Sequence, residues 1–169
     1  MPHLDAGYNL ARWLVRDALD AEDVVQDACV RALRYLDSLQ GDAARPWFLT
    51  IVRHASYDFL ARHRSEPAAG ELDIAELEIA ADAASEPECQ AARRGVSRAL
   101  ARALAGLALP YREVIVLREL EELSYREIAT IAGIPIGTVM SRLARARALL
   151  RRSPALYAIA GQRTAGESS

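Results

Sequence analysis

The stretch Leu123–Leu150, LSYREIATIAGIPIGTVMSRLARARALL, decides the fold class. It reads as a helix, a tight turn and a second helix crowded with arginine. Ser124 and Glu127 have the S-x-x-E spacing of a capping box, in which each side chain reaches the other's free backbone N–H. Ile128, Ala129 and Ile131 give the first helix its apolar side. Gly133 can take the positive φ that a sharp interhelical turn needs. Pro135 suits the start of a new helix, where its missing N–H is not required.

The second helix divides its faces. Val139, Leu143, Ala146 and Leu150 recur at helical spacing and predict the buried stripe. Thr138, Ser141, Arg145 and Ala148 fall opposite, with Arg142 and Arg147 at the flanks. From Gly133 to Arg152 there are five arginines and no acidic residue. A helix-turn-helix sets its second helix in the DNA major groove. There hydroxyls and arginines meet phosphates and base edges, and bidentate Arg–guanine contacts are the commonest specific ones. A helical hairpin with a solvated basic face is the plain alternative. The cap, the turn and the acid-free helix in register favour DNA binding.

A length of 169 residues allows one or two small domains, and 51% apolar with 26% charged residues is a globular composition. There is no apolar run of about 18 residues, so no membrane span is expected. The N-terminus MPHLDAGYNL lacks the basic start and apolar core of a secretory signal, which predicts a cytoplasmic protein. Cys29, Cys89, His3, His54 and His63 offer no zinc spacing, so neither metal nor cofactor is expected. No nucleophile–base set or Gly-rich phosphate loop points to an enzyme. The net charge of −2 looks wrong for a DNA binder, but its distribution resolves this. Glu66, Glu71, Asp73, Glu76, Glu78, Asp82, Glu86 and Glu88 all lie between Ser65 and Ala92, a stretch with no Arg or Lys. The rest of the chain is net basic, and such a block marks a linker or interaction segment.

The pattern predicts an all-α protein of two small helical domains joined by this acidic linker. Residues 1–64 are the first domain, 65–92 the linker, 93–152 the second domain and 153–169 a flexible tail. Asp5 is expected to cap a helix running to Leu19, with Leu10, Trp13, Leu14 and Ala18 on one side. A second helix starts at Asp20, with Val25, Cys29, Ala32, Leu33 and Leu36 as its core stripe. Its acids Asp20, Glu22 and Asp23 suit the positive N-terminal end of the helix dipole. Pro46 opens a third helix with Phe48 or Leu49, Val52, Ala55 and Phe59 inward. The linker is read as a tether with a helical turn near Ile74–Ile79. The second domain holds a helix through Ala105, a break at Leu109-Pro110, a helix YREVIVLREL and the two helices already described.

Both domains together resemble the bacterial extracytoplasmic-function (ECF) RNA polymerase sigma factors, which keep only regions 2 and 4. DAEDVVQDACVRALRYLDSLQGDAARPWFLTIVRHASYDFLARHR is similar to region 2, and LPYREVIVLRELEELSYREIA followed by GTVMSRLARAR is similar to region 4. The resemblance spans Tyr8 to Arg152, with the halves in the expected order. It implies a factor that binds core RNA polymerase and directs promoter-specific initiation. The first domain would dock on the clamp helices of the β′ subunit through Asp23, Gln26, Asp27, Val30 and Arg34, and region 4 would meet the flap of the β subunit. The loop from Asp37 to Arg45 and the helix after it would melt the −10 element and capture a flipped base, with Arg45, Arg53, His54, Tyr57, Arg62 and Arg64 on the strand. Thr138, Ser141, Arg142, Arg145 and Arg147 would read the −35 duplex. The resemblance also implies an anti-sigma partner.

Two departures bear on promoter preference. His54 stands where the family usually has Asn, which offers a donor and an acceptor in a different geometry. Met140 stands where relatives often carry Lys or Arg. Two other functions fit parts of the sequence. A plain helix-turn-helix regulator leaves the AEDVVQ helix unexplained. A sigma-mimic adaptor that binds an anti-sigma factor would be expected to carry a receiver domain, for which this length has no room.

Overall fold

The computed structural model describes residues 3–39, 41, 43–63 and 87–156, with side chains described from residue 94 onward in the last block. Among these residues the regular structure is helical and contains no strand. Helices α1 (Leu4–Val15), α2 (Ala18–Arg34) and α3 (Ala44–Arg62) form the first half. Helices α4 (Pro87–Ala105), α5 (Leu109–Ile115), α6 (Tyr125–Ala132) and α7 (Ile136–Arg151) form the second. A 3-10 turn, Leu36–Ser38, follows α2, and α5 runs on into a π-helical turn, Val116–Leu120. Arg64, the helical turn expected near Ile74–Ile79 and the end of the tail lie outside the described residues. α4 already begins at Pro87, so residues 87–92, given to the linker from sequence, start this helix.

The first helix is shorter than expected. Arg16 takes a left-handed φ of 71°, and its N–H bonds the carbonyl of Arg12 to close α1 at Val15. Asp17, not Asp20, caps the next helix, accepting the N–H of Asp20 at 3.1 Å. A short polar side chain that satisfies a free helix N–H outcompetes continuation of the helix. Asp5 sits inside the first turn of α1 and not at its cap.

The core register of α2 also differs from expectation. Ala21, Val24, Ala28 and Ala32 are its buried positions; Val25 and Cys29 are half-buried, and Leu33 and Leu36 are exposed, Leu33 by 67%. Helical crossings lined by small residues let backbones approach closely, so the alanine stripe faces inward and the bulky residues turn out. The same economy of space occurs on α1. A Cβ on Gly7 would stand 2.7 Å from Cε1 of Phe48, so α1 and α3 pack where only glycine fits. Leu10, Trp13 and Leu14 fill the rest of this face with Leu49, Val52 and Ala55 of α3.

In the second half, Leu109 and Pro110 start α5 instead of breaking the chain; the break is residues 106–108. Pro110 lies in the first turn, where its ring is tolerated. Arg112 is buried and donates Nη1 to the carbonyls of Ala105 and Leu107, both at 3.1 Å. It thereby occupies carbonyls that the end of α4 leaves unpaired. Burial pushes its guanidinium down to about 10, with neighbouring Arg16 adding to the effect.

The capping box forms as read. Ser124 Oγ accepts the N–H of Glu127 at 3.2 Å, and Glu127 accepts the N–H of Ser124 at 2.7 Å. The Ser124 N–H and the Ser124 hydroxyl, which also donates to Glu127 Oε2 at 2.7 Å, hold the Glu127 carboxyl below its ordinary range. Gly133 turns the chain at φ 64°, and Pro135 occupies the cap position just before α7. Val139, Leu143 and Ala146 are buried, with Leu150 half-buried. Their apolar stripe seats α7 on α5 and α6.

The two halves pack together. α3 lies against α6 and α1 against α5, and the buried apolar residues of both halves form one cluster.

Candidate nucleic-acid interface

Three sets of candidate residues occupy three places. The α7 set faces outward. Ser141 and Arg145 are exposed, while Thr138 and Arg142 are half-buried at its edge. Met140 is 54% exposed beside them, and Ile136 is exposed one turn earlier. Ser141 Oγ donates to the Thr138 carbonyl at 3.1 Å, so in the free protein this hydroxyl is satisfied within the helix. Arg142 and Arg145 have no ion pair with the described residues. Arg147 differs: its Nε donates to Glu119 Oε1 at 3.1 Å and its Nη2 meets the same oxygen. The carboxylate holds Arg147 above its ordinary value.

The α2 set also faces solvent. Asp23, Gln26, Val30 and Arg34 are exposed, and Asp27 is half-buried. Asp27 pairs with Arg31 at 2.8 Å, and Arg31 reaches across to Asp58 of α3 at 2.6 Å. This bridge fixes α2 on α3 and leaves the other four side chains available. Val30, Leu33 and Leu36 add exposed apolar surface along the same end of the helix.

The set on and before α3 is split. His54 and Arg62 are exposed. Arg45, Arg53 and Tyr57 are half-buried, because the other half of the chain covers them. Arg53 donates Nε to Glu113 Oε1, and Tyr57 donates its hydroxyl to Glu113 Oε2 at 3.1 Å. The Arg53 guanidinium also lies 4.3 Å above the Tyr57 ring. Arg45 donates Nη2 to Glu121 Oε2 at 2.7 Å, and Asn9 of α1 donates to Glu121 Oε1. All four oxygens of two carboxylates in the second half are thus held by donors from the first. Glu113 is wholly buried and Glu121 is 6% exposed. Burial, with the Glu113 charge next to it, pushes the Tyr57 hydroxyl up to about 12. The Trp47 indole N–H donates to Ser38 Oγ at 3.1 Å.

Asn9, Glu113 and Glu121 escaped the sequence reading. Their partners are 56 to 112 residues away along the chain, so no local period signals them.

Two family models match the chain. Residues 1–66 match the model described as Sigma-70 region 2, and residues 97–150 match Sigma-70, region 4. The ECF RNA polymerase sigma-E factor of Escherichia coli strain K12 is 37% identical over 134 residues, which cover 76% of this chain and 70% of that protein. The chain belongs to the ECF sigma factors. Two solved structures share its architecture. RpoE of Bartonella quintana, in complex with the anti-sigma factor NepR, superposes with a TM-score of 0.67 at 28% identity, over 89% of this chain and 91% of that one. CnrH, in complex with the cytosolic domain of CnrY, gives 0.61 at 29% identity, over 89% and 81%.

As an ECF sigma factor the chain binds core RNA polymerase and directs promoter-specific initiation. Region 2 comprises α1 to α3, and the region 4 match runs from within α4 to α7. No described helix is long and apolar enough to cross a membrane.

Proposed function

We propose that the sigma activity is divided among the three residue sets. α7 enters the major groove of the −35 element, with Thr138, Ser141, Arg142 and Arg145 at base edges and phosphates and Arg147 on the backbone. Arg45, Arg53, His54, Tyr57, Arg62 and Arg64 hold the opened −10 strand. Asp23, Gln26, Asp27, Val30 and Arg34 dock on the clamp helices of the β′ subunit, and region 4 meets the β flap. Residues 1–64 and 93–152 are the two working domains, joined by the acidic stretch 65–92, whose last residues open α4, and followed by the tail 153–169.

The observation that carries this reading is the outward face of α7. It presents Ser141 and Arg145 to solvent on a helix with no acid, while a buried stripe anchors it. Cations and hydroxyls on one rigid helix match the donor and acceptor pattern of a major groove. On α2, exposed Val30 and Leu33 among residues of both charge signs suit a protein partner more than a nucleic acid.

The factor has no catalytic chemistry of its own and works in the cytoplasm, where polymerase and promoter are. The RpoE neighbour was solved with an anti-sigma factor, and we extend a partner of that kind to this chain. Its target would be the exposed apolar end of α2, in competition with polymerase.

Footprinting with reconstituted holoenzyme tests the division. The −35 duplex should be protected, and thymines at −10 should become permanganate-reactive. Core enzyme alone should give neither signal. Protection without reactive thymines would reduce the chain to a helix-turn-helix binder and overturn the reading.

A further inference from the structure

The outward side of α7 is not uniform. Thr138 and Arg142 lie along one edge, with Ser141 and Arg145 between the edges. The other edge is apolar. Ile136, Met140 and Ala144 recur at steps of four and so fall on one strip. All three are exposed, Met140 by 54% and Ile136 by 43%. Gly137 lies next to them, with open space where a Cβ would stand. The strip is separate from the buried stripe of Val139, Leu143 and Ala146, so the packing of α7 does not account for it. Phosphate oxygens gain nothing from such a surface. The major groove does hold one apolar group, the C5 methyl of thymine, and apolar side chains are its partners.

We propose that the Ile136–Met140–Ala144 strip reads thymine methyl groups in the −35 element, with Met140 making the discriminating contact; this rests on α7 lying in the −35 major groove.

The placement suits this role. The N-terminal residues of a recognition helix are the ones that reach base edges, and Ile136 opens α7. A helix rises about 1.5 Å per residue, so the strip spans about 12 Å, or roughly three base steps. Methionine is unbranched and polarizable, and it adapts to an irregular apolar contour such as a methyl beside a base edge. Three side chains are too few for a stable protein partner, which buries about 800 Å² on each side. The two edges of α7 then divide the work. Thr138, Ser141, Arg142 and Arg145 supply hydrogen bonds and charge, and the strip supplies a preference that charge cannot give. A Lys or Arg at position 140 would reach for phosphate and be indifferent to the methyl, so this chain exchanges a sequence-blind contact for a selective one.

The test uses holoenzyme reconstituted with purified core polymerase and a promoter library randomised across the −35 element. The wild type should enrich thymine at one or more positions, and Arg145→Ala should leave that enrichment in place. Deoxyuridine put at each enriched thymine removes the methyl and nothing else. At one of them wild-type affinity should fall about fourfold, the scale of one methyl-sized group returned to water. Met140→Gln should bind the thymine and deoxyuridine promoters alike, and Met140→Leu should restore the difference. At the same position 5-methylcytosine should outbind cytosine with the wild type and not with Met140→Gln. A wild type blind to deoxyuridine at every position overturns the proposal, as does a Met140→Gln variant that keeps the full difference. If Met140→Gln weakens assembly with core enzyme while deoxyuridine has no effect, the strip faces the polymerase and the proposal fails. Footprints of the same complexes separate this failure from that of the reading beneath it. A protected −35 duplex with silent deoxyuridine removes the methyl contact alone, whereas an unprotected −35 duplex removes the placement of α7.

Discussion

Arg53 of α3 and Glu113 of α5 form an ion pair across the boundary between region 2 and region 4, with the carboxylate wholly buried and the guanidinium stacked on Tyr57. The pair links the two halves of the chain, and the Tyr57 hydroxyl holds the second oxygen of the same carboxylate.

The Tyr57 hydroxyl reports on this junction. Its ordinary value is 10.0, and burial beside Glu113 raises it to about 12. A folded-state value above the unfolded one means that the native chain keeps a proton which the unfolded chain releases. The contribution of Tyr57 is therefore complete below about pH 10 and declines as pH rises toward 12. Ultraviolet titration should show a late tyrosinate from Tyr57, and Glu113→Gln should move it back toward 10. A wild type in which every tyrosine ionises together would contradict the burial of this hydroxyl.

Ser124→Ala removes one half of the capping box. The loss should be about 1 kcal/mol of stability, read by denaturant unfolding, since an N-cap hydroxyl contributes roughly 0.5–2 kcal/mol. Glu127 also loses a hydrogen bond that favours its charged form, so its carboxyl should titrate closer to the ordinary range. A depressed carboxyl stabilises above its unfolded value and loses that contribution as pH falls through its folded value. The deficit of the variant should accordingly shrink in acid. A constant deficit at all pH values would mean that the carboxylate plays no part.

Arg145→Ala should relax preference at one −35 position by about 1–3 kcal/mol in holoenzyme binding to a promoter library. Arg145 is exposed on α7, clear of the buried stripe, so helix stability should be unaffected. A uniform loss across all sequences would assign it to phosphate instead.

Met140 is where this factor should differ from relatives that carry a cation. Its side chain is 54% exposed beside Ser141. Met140→Arg should steepen the dependence of log affinity on log salt by about one unit, as one more phosphate is neutralised. An unchanged slope with altered base preference would place the new arginine on a base edge.

The sequence signals that succeeded are local ones. The Ser124–Glu127 box, Gly133 and the Val139, Leu143, Ala146 stripe are each complete within a few residues, and the structure reproduces them. The end of α1 was hidden because Arg16 enters the left-handed region without being glycine. The face of α2 was misread because large apolar side chains dominate a periodicity, whereas its crossing uses Ala21, Ala28 and Ala32. The Leu33 and Leu36 side chains expected in the core are on the surface instead. The occupation of Arg45 and Arg53 was not legible at all. Each is an ordinary basic residue until the fold brings an acid from the other domain.

The most direct measurement is run-off transcription with purified core RNA polymerase and a promoter library, with and without this chain. The account predicts discrete start sites that appear only with the factor, downstream of paired −35 and −10 elements. It predicts their loss with Arg142→Ala/Arg145→Ala, while the variant still binds core enzyme. Specific transcripts that survive that double substitution unchanged, or no specific transcript with the wild type, would contradict it.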